Sequence, residues 1–279
     1  MSERIIAITG ATDGLGKVVA TALAADPETR LILHGRSTQR LEALRTELSA
    51  NPAQVDTVRA DLSELAQVHQ LADDIAAHTG KLTVLVNNAG VGFGEPDGTT
   101  RRLTGDGNEL RFAVNYLAPF ALTQRLVPLL KAGAPARIVH IASIGQAPLD
   151  FDDLTLEHHY TGQLAYRRSK LALITYGLAL AKRLDPQQVT VNSVHPGTYM
   201  PTKMVLDAVG HSIDSLDTGV AAVLRLIGDP FLTGVTGRYY ERTTEAQARP
   251  EAYLAENQQR LWQISEELTA LPDRDLPRS

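Results

Sequence analysis

A tyrosine and a lysine spaced four residues apart are the first candidates for chemistry in this chain. Tyr166 and Lys170 open an apolar run with helical periodicity, so a helix would present both side chains on one face. The reference pKa of a phenol is about 10, and a neighbouring ammonium group favours ionisation, so we expect a lowered tyrosine pKa. The pair could therefore donate and accept a proton.

The Tyr-x-x-x-Lys spacing alone is a weak signal. A second copy, residues 199–203, lies beside Pro196, Gly197 and Pro201, which are typical of a loop, where this spacing does not align side chains. An isolated match usually reports a surface tyrosine beside a solvated lysine. The interpretation of Tyr166 therefore depends on the elements that would position it.

A glycine-rich turn follows the first predicted strand, residues 5–9, and leads into a run with helical periodicity, residues 17–24. Its spacing is Gly-x-x-x-Gly-x-Gly. Glycines between a strand and a helix let the backbone approach a pyrophosphate, whose charge the free N–H groups at the helix start stabilise. A tight turn without a ligand is the alternative. The candidate contacts are Gly10, Thr12, Asp13, Gly14, Leu15 and Gly16.

The residues at the end of the second predicted strand, residues 31–34, indicate which dinucleotide the glycine-rich turn would bind. An acidic residue about 20 positions beyond the last glycine binds the ribose 2′-hydroxyl of NAD, whereas an arginine there pairs with the 2′-phosphate of NADP. The chain has Arg36 followed by Ser37, and no acid. We therefore predict NADP(H) in preference to NAD(H), with an arginine that only caps a solvated loop as the alternative. His34 is interpreted as a satisfied histidine at the strand end.

Strands and helices alternate along the rest of the chain, which predicts one α/β domain, residues 1–279, with a single doubly wound parallel sheet of the Rossmann type. Loops at the carboxyl ends of its strands meet at the edge where such sheets bind ligands. Further strands are predicted over residues 55–60, 82–86, 137–142, 189–194 and 237–240. Residues predicted at the ligand edge are Asp61, Leu62, Asn88, Ala89, Gly90, Ser143, Pro196, Gly197 and Thr202.

Two helical segments carry features that leave alternatives open. Asn115 lies within a helix predicted over residues 107–131, and because asparagine is a modest helix former, either a special role or a solvated side chain accounts for it. An apolar stripe predicts a C-terminal helical extension over about residues 245–272, followed by a frayed tail at 273–279. The extension is interpreted as a packing helix or as a substrate lid.

Composition excludes several classes of function. The chain has 279 residues, a net charge of −5 and no cysteine, which argues against nucleic-acid binding, disulfides and thiolate metal sites. The first strand begins almost at once, and no apolar run approaches membrane-spanning length. We expect a cytoplasmic protein without a membrane anchor. No metal site is expected either, because His158 and His159 have no carboxylate at ligand spacing.

In this order, the motifs resemble those of the short-chain dehydrogenase/reductase family, and the match spans nearly the whole chain. Each motif is weak alone, whereas their joint order is specific. The long gap between Ser143 and Tyr166, with residues 151–154 and 260–268, looks like the retinol dehydrogenase and protochlorophyllide reductase branch, which favours NADP and lipophilic substrates. The motifs are Thr9-Gly10-x-x-x-Gly14-x-Gly16, Asp61, Asn87-Asn88-Ala89-Gly90, Asn115, Ser143, Tyr166-x-x-x-Lys170 and Pro196-Gly197.

This similarity implies that Tyr166 exchanges a proton with the substrate oxygen and that Ser143 hydrogen-bonds that oxygen. Lys170 would hold the nicotinamide ribose and lower the pKa of Tyr166, while Asn115 would support a water relay to solvent. The implied cofactor contacts are Gly10, Gly14, Leu15 and Gly16 at the pyrophosphate, Asp61 and Leu62 at the adenine, and Asn88, Ala89 and Gly90 near the adenosine ribose.

One position departs from the family pattern. The family usually places a threonine five residues after the proline of Pro-Gly, where it meets the nicotinamide carboxamide. Here that position is Pro201 and Thr202 follows. One extra loop residue would keep Thr202 as a cofactor contact.

The resemblance implies an NADP(H)-dependent oxidoreductase that interconverts a carbonyl and an alcohol by hydride transfer, with a small-molecule substrate. A catalytically silent NADP-binding sensor or scaffold is the alternative, because a fold does not imply turnover. An epimerase or dehydratase would need an extended sugar-nucleotide domain, for which the C-terminal region is too short. As in many relatives, helices 107–131 and 163–184 could pair into a homodimer or homotetramer, or stay solvated.

Overall fold

The structure is a computed structural model that describes residues 3–94 and 96–270. Within these residues, eight strands form one sheet: β1 (Arg4–Ile8), β2 (Thr29–Gly35), β3 (Gln54–Arg59), β4 (Val84–Asn87), β5 (Ala136–Ile141), β6 (Val189–His195), β7 (Arg238–Glu241) and β8 (Thr244–Ala246). Their order is β3-β2-β1-β4-β5-β6-β7-β8. Strands β1 to β7 pair in parallel, and β8 pairs antiparallel with β7.

Helices cover both faces of the sheet. No helix of the described chain is long and apolar enough to cross a membrane. The helices are α1 (Gly14–Ala24), α2 (Thr38–Leu48), α3 (Leu65–His78), α4 (Leu110–Phe112), α5 (Ala118–Ala132), α6 (Gly162–Ala181), α7 (Lys203–Val209), α8 (Leu216–Gly228) and α9 (Ala255–Thr269).

Successive residues of β1 point to opposite faces of the sheet, as the twofold period of a strand requires. Ile5 and Ala7 join the apolar cluster beneath α3, α5, α6 and α9, whereas Ile6 and Ile8 join the cluster beneath α1, α2 and α8. Because both faces are buried, the strand is a continuous apolar run. The predicted doubly wound α/β fold is confirmed.

The sheet has its switch point between β1 and β4. From β1 the chain builds outward through β2 to β3, and from β4 it builds in the opposite direction through β5 and β6. At such a point the loops after the two central strands diverge and leave a crevice at the carboxyl edge. The glycine-rich turn follows β1, and Asn88 follows β4.

Two predicted helices have different bounds in the structure. The helix predicted over 107–131 begins at Leu110 and contains a π-helical segment, Ala113–Leu117, between α4 and α5. The extension predicted over 245–272 contains a helix only from Ala255, because residues 244–246 pair with β7 and Pro250 opens a 3₁₀ turn. The predicted tail, 273–279, lies outside the described residues.

Helix α9 packs on the outer surface of α5 and α6. Trp262 is 3% exposed, and its ring lies 5.4 Å from Phe120 and 5.6 Å from Tyr176, between ring centroids. The hydroxyl groups of Tyr116 and Ser265 form a buried hydrogen bond. Helix α9 thus covers part of the outer surface of α5 and α6.

Replacing Trp262 with alanine tests whether α9 is a packing helix. Removing a buried tryptophan leaves a cavity, so the free energy of unfolding should fall by about 3–5 kcal/mol. Denaturant unfolding would measure this change. The matched control is Phe231→Ala, whose side chain is 90% exposed and should cost less than about 0.5 kcal/mol. Equal effects of the two substitutions would contradict the packing of α9.

Candidate active site

The glycine-rich turn closes over the end of β1 at very short distances. Gly10 has a φ of +66°, and a Cβ atom there would lie 2.8 Å from Ala89 Cα. A Cβ atom at Gly16 would lie 2.3 Å from the Gly10 carbonyl oxygen. Both positions therefore exclude any side chain. The first turn of α1 is held against the strand edge with its N–H groups facing the crevice, an arrangement that suits an anion.

His34 supports this turn from β2. Its Nε2 donates to Ala60 O at 3.0 Å, so its Nδ1 accepts from the Gly10 N–H at 3.2 Å. Burial lowers the pKa of His34 to about 4, so the ring is neutral and keeps these two roles at neutral pH. The interpretation of His34 as a satisfied histidine at the strand end is confirmed.

Charged residues gather where β2 and β3 end. Arg36 is exposed, and its side chain makes no hydrogen bond or ion pair within the described residues. Ser37 caps α2 by accepting from the Arg40 N–H at 3.3 Å. The Arg40 guanidinium lies 3.3 Å from Asp13, which caps α1. Arg40 thereby offsets a carboxylate that would otherwise repel an anion at the helix start.

The acidic residue after β3 is used within its own loop. Asp61 Oδ1 accepts from the Ser63 N–H at 2.9 Å and from the Ser63 hydroxyl at 2.8 Å. The Asp61 N–H donates to Gln67 Oε1 at 2.9 Å. These bonds fix the loop that carries the buried Leu62 side chain to the cleft.

Three side chains from β5 and α6 form the candidate reactive group. The Ser143 side chain lies beside the Tyr166 hydroxyl and favours its ionised form. Ser143 Oγ also accepts from the Gly145 N–H at 3.0 Å. Lys170 Nζ donates to Ile141 O at 2.8 Å and lies 5.6 Å from the centre of the Tyr166 ring. Helix α6 thus places Tyr166 and Lys170 on one face, as the four-residue spacing predicts.

The direction of the tyrosine pKa differs from the sequence prediction. In this structure the pKa of Tyr166 is raised, because the surrounding protein excludes water from the phenolate, and only the Ser143 side chain opposes this effect. Burial also lowers the pKa of Lys170 to about 8. The ammonium group hydrogen-bonds to the Ile141 carbonyl group and does not offset the burial of the phenol.

Asn115 lies in the π-helical segment between α4 and α5. There the Ala118 N–H donates to Ala113 O, five residues back, instead of the usual four. The fully buried Asn115 side chain donates to Val91 O at 3.1 Å and to Ser169 Oγ at 3.0 Å, and accepts from the Val91 N–H at 2.7 Å. It therefore ties the loop after β4 to α6, and the reading of a solvated asparagine is wrong.

The loop after β6 folds back over the glycine-rich turn. Thr202 caps α7, and its methyl group lies 3.1 Å from the position that a Cβ atom of Gly14 would occupy. Tyr199 has a φ of +46°, so the second Tyr-x-x-x-Lys pair begins in a strained loop and not in a helix. Thr202 therefore lies beside the glycine-rich turn, as its prediction as a cofactor contact requires.

These segments enclose one cleft of about 1110 Å³. Its far end is walled by Phe93, Ile144, Tyr199 and Met204. Within the described chain, no residue beyond Val205 lines the cleft, so α9 is not a lid. Asn115 lies behind the cleft. The predicted residues that line it are Gly10, Thr12, Asp13, Gly14, Leu15, Gly16, Arg36, Ser37, Asp61, Leu62, Asn88, Ala89, Gly90, Ser143, Tyr166, Lys170, Pro196, Gly197 and Thr202.

Sequence reasoning missed several contributors to the cleft, among them Arg40 and Met204. Arg40 carries a detectable signal, since it lies one turn into the helix that begins after Arg36. Met204 carries none: it comes from the short helix α7, and its side chain packs against Gly92, where a Cβ atom would lie 2.4 Å from Met204 Cγ.

Comparison with known proteins agrees with this geometry. The family model described as short chain dehydrogenase matches residues 4–209. Mouse retinol dehydrogenase 14 is 33% identical, over 97% of this chain and 87% of the relative. Human retinol dehydrogenase 13 is 31% identical, over 99% of this chain and 88% of the relative.

Solved structures share the architecture. The Pseudomonas aeruginosa RhlG/NADP active-site complex superimposes with a TM-score of 0.70 at 25% identity, over 86% of this chain and 95% of that one. A short chain dehydrogenase from Salmonella enterica serovar Typhi also gives a TM-score of 0.70, at 27% identity, over 86% of this chain and 96% of that one. Sequence, fold and site geometry agree that this chain belongs to the short-chain dehydrogenase family.

Proposed function

We propose that this protein is an NADP(H)-dependent oxidoreductase that interconverts a carbonyl and an alcohol by hydride transfer. One observation carries the proposal. Tyr166 and Ser143 line the same cleft as a glycine-rich turn whose positions 10 and 16 admit no side chain. A proton-exchanging group and a cradle for a pyrophosphate thus face one space.

The residues of the cleft fit a dinucleotide. The glycine-rich turn would hold the pyrophosphate, because its backbone allows close approach and the start of α1 favours negative charge. Asp61 and Leu62 would flank the adenine, and Lys170 would hydrogen-bond the nicotinamide ribose. A bound nicotinamide supplies the hydride, and the protein supplies binding, orientation and the proton.

The proton chemistry belongs to Tyr166. In the reductive direction, negative charge develops on the substrate oxygen, and the hydroxyl groups of Tyr166 and Ser143 would stabilise it by hydrogen bonds. The raised pKa of Tyr166 keeps the phenol protonated in the free protein, which suits a general acid. We propose reduction as the working direction, since cells generally keep NADP reduced.

The choice of NADP(H) rests on the arginines at the adenosine end. Arg36 has a free guanidinium group at the cleft, and Arg40 stands beside it on α2. A guanidinium group recognises a phosphate through paired charged hydrogen bonds. The RhlG relative, crystallised with NADP, supports the same choice.

A lipophilic substrate suits the other end of the cleft, where the walls include Phe93, Ile144, Tyr199 and Met204. The similarity to retinol dehydrogenases supports this class without fixing the molecule. We propose an apolar aldehyde or ketone as the substrate and the cytoplasm as the location of the enzyme.

Replacing Tyr166 with phenylalanine should lower NADPH-dependent carbonyl reduction by about 10²- to 10⁴-fold, because the proton donor is lost. NADPH affinity, measured by fluorescence titration, should change little. Tyr253→Phe, at an exposed tyrosine outside the cleft, is the matched control. Turnover retained by Tyr166→Phe would reject the role of this tyrosine. NADPH binding without oxidation of any carbonyl by the wild-type protein would favour a sensor or scaffold.

Replacing Arg36 with aspartate should reverse the cofactor preference. The KM for NADPH should rise about tenfold or more, since a charged phosphate contact becomes a repulsion, while NADH use improves. Steady-state kinetics with both dinucleotides would measure the ratio. Arg45→Asp, on the same helix but outside the cleft, should leave the ratio unchanged. A wild-type preference for NADH would overturn this assignment.

Lys170 makes dinucleotide binding dependent on protons. Its pKa is about 8 in the free protein, and the negative charge of a bound dinucleotide would favour the protonated form and raise this pKa. At a pH just above 8, binding should therefore take up protons. Calorimetric titration in two buffers with different ionisation enthalpies would detect the uptake. The same uptake by a Lys170→Met variant would show that another group is responsible.

A further inference from the structure

A buried arginine organises the wall at the far end of the cleft. Arg111 is 0% exposed, and its Nε donates to Gly92 O at 2.9 Å. Its Nη2 donates to Phe93 O at 3.0 Å and to Asp97 O at 3.2 Å. These carbonyl groups belong to the loop after β4, whose described residues form no strand or helix. The guanidinium group therefore replaces the backbone partners that regular structure would provide.

The buried charge of Arg111 faces a buried carboxylate, that of Glu109. Glu109 is 1% exposed, and its carboxylate lies 3.5 Å from Arg111 Nη1. The Tyr160 hydroxyl donates to Glu109 at 2.9 Å and accepts from Arg111. Burial and the nearby carboxylate raise the pKa of Tyr160 to about 12, so this hydroxyl stays protonated and can donate. We call Glu109, Arg111 and Tyr160 the carbonyl clamp.

The chain leaves room for the clamp at Gly162. A Cβ atom there would lie 2.4 Å from Phe93 O and 2.7 Å from Arg111 Nη2. The Gly162 N–H also donates to Gly98 O at 2.8 Å. The first residue of α6 lacks a side chain, and this leaves space for both the loop and the guanidinium group.

The clamp joins the segments that carry the reactive residues. Arg111 precedes the π-helical segment of Asn115, and Tyr160 precedes the helix of Tyr166. The clamped loop carries Phe93, whose ring stands edge-on to the Tyr166 ring with 6.1 Å between centroids. A displacement of this loop would move an apolar wall away from the reacting atoms without touching the glycine-rich turn.

We infer that Arg111 is a positioning residue that fixes Phe93 beside Tyr166 and thereby selects for large apolar substrates, an inference that rests on the proposed function. Arg111 does not contact the substrate. It acts through the carbonyl groups of Gly92, Phe93 and Asp97, which hold the Phe93 side chain in the cleft. A short aldehyde uses only Tyr166 and Ser143, whereas a long one also needs this wall.

Two variants test the inference by different routes. Arg111→Lys keeps the charge opposite Glu109 but loses the forked donors, and Gly162→Ala pushes on Phe93 O without removing any donor. Both should raise the KM for decanal about tenfold or more while kcat for propanal stays within about twofold, because only uniform binding to the wall is lost. Gly80→Ala, at a glycine with open space around its Cβ position, is the control.

A second readout does not need turnover. Amide hydrogen exchange over residues 90–99 should become faster in both variants, and calorimetry should show weaker binding of 1-decanol but not of 1-propanol. Equal losses for long and short ligands, or no change in either, would overturn the role of Arg111. If the wild-type protein reduces neither aldehyde, the proposed function fails, whereas alkanol binding and exchange still decide the role of the clamp.

Discussion

The carboxyl ends of β1 and β4 are held together by the side chains that follow them. The positions of the other site residues depend on this contact. The Thr9 hydroxyl accepts from the Asn88 and Ala89 N–H groups at 3.0 and 3.1 Å. Asn88 Nδ2 donates back to Thr9 O at 2.8 Å and Gly10 O at 3.1 Å. The residue after Ala89, Gly90, lies against Asn115 and Lys170. A shift of the glycine-rich turn would therefore be felt at the reactive group.

Much of this arrangement was predictable, because its signals are local. A strand buried on both faces is a continuous apolar run, and a turn that admits no Cβ atom at positions 10 and 16 must carry glycine there. Four-residue spacing on a helix fixes Tyr166 and Lys170 relative to each other. The alternating order of strands and helices predicted a parallel sheet, in which the carboxyl ends of the strands lie at one edge.

What could not be predicted depends on contacts between distant segments. The π-helical segment around Asn115 has no sequence pattern of its own, and β8 follows a two-residue turn that contains Arg242 at a φ of +54° rather than a glycine. The predicted lowering of the Tyr166 pKa was wrong. The four-residue spacing places an ammonium group nearby, but it does not show how far the fold buries the phenol. Arg111 gives no signal, since the backbone carbonyl groups that it binds leave no pattern of residue types in the sequence.

The two ends of the cleft are therefore built on different physical grounds. At the proposed dinucleotide end, the shape of the cleft is set by the backbone of the glycine-rich turn and the start of α1. Few side chains there are free to vary, because positions 10 and 16 admit no Cβ atom. At the substrate end, the wall is a loop without regular structure, held by one buried guanidinium group and by packing against α7. A buried charge tolerates little change unless its partner changes with it, since an unpaired ion in the interior is costly. The shape of the substrate end is thus determined less by the residues that line it than by the clamp behind them.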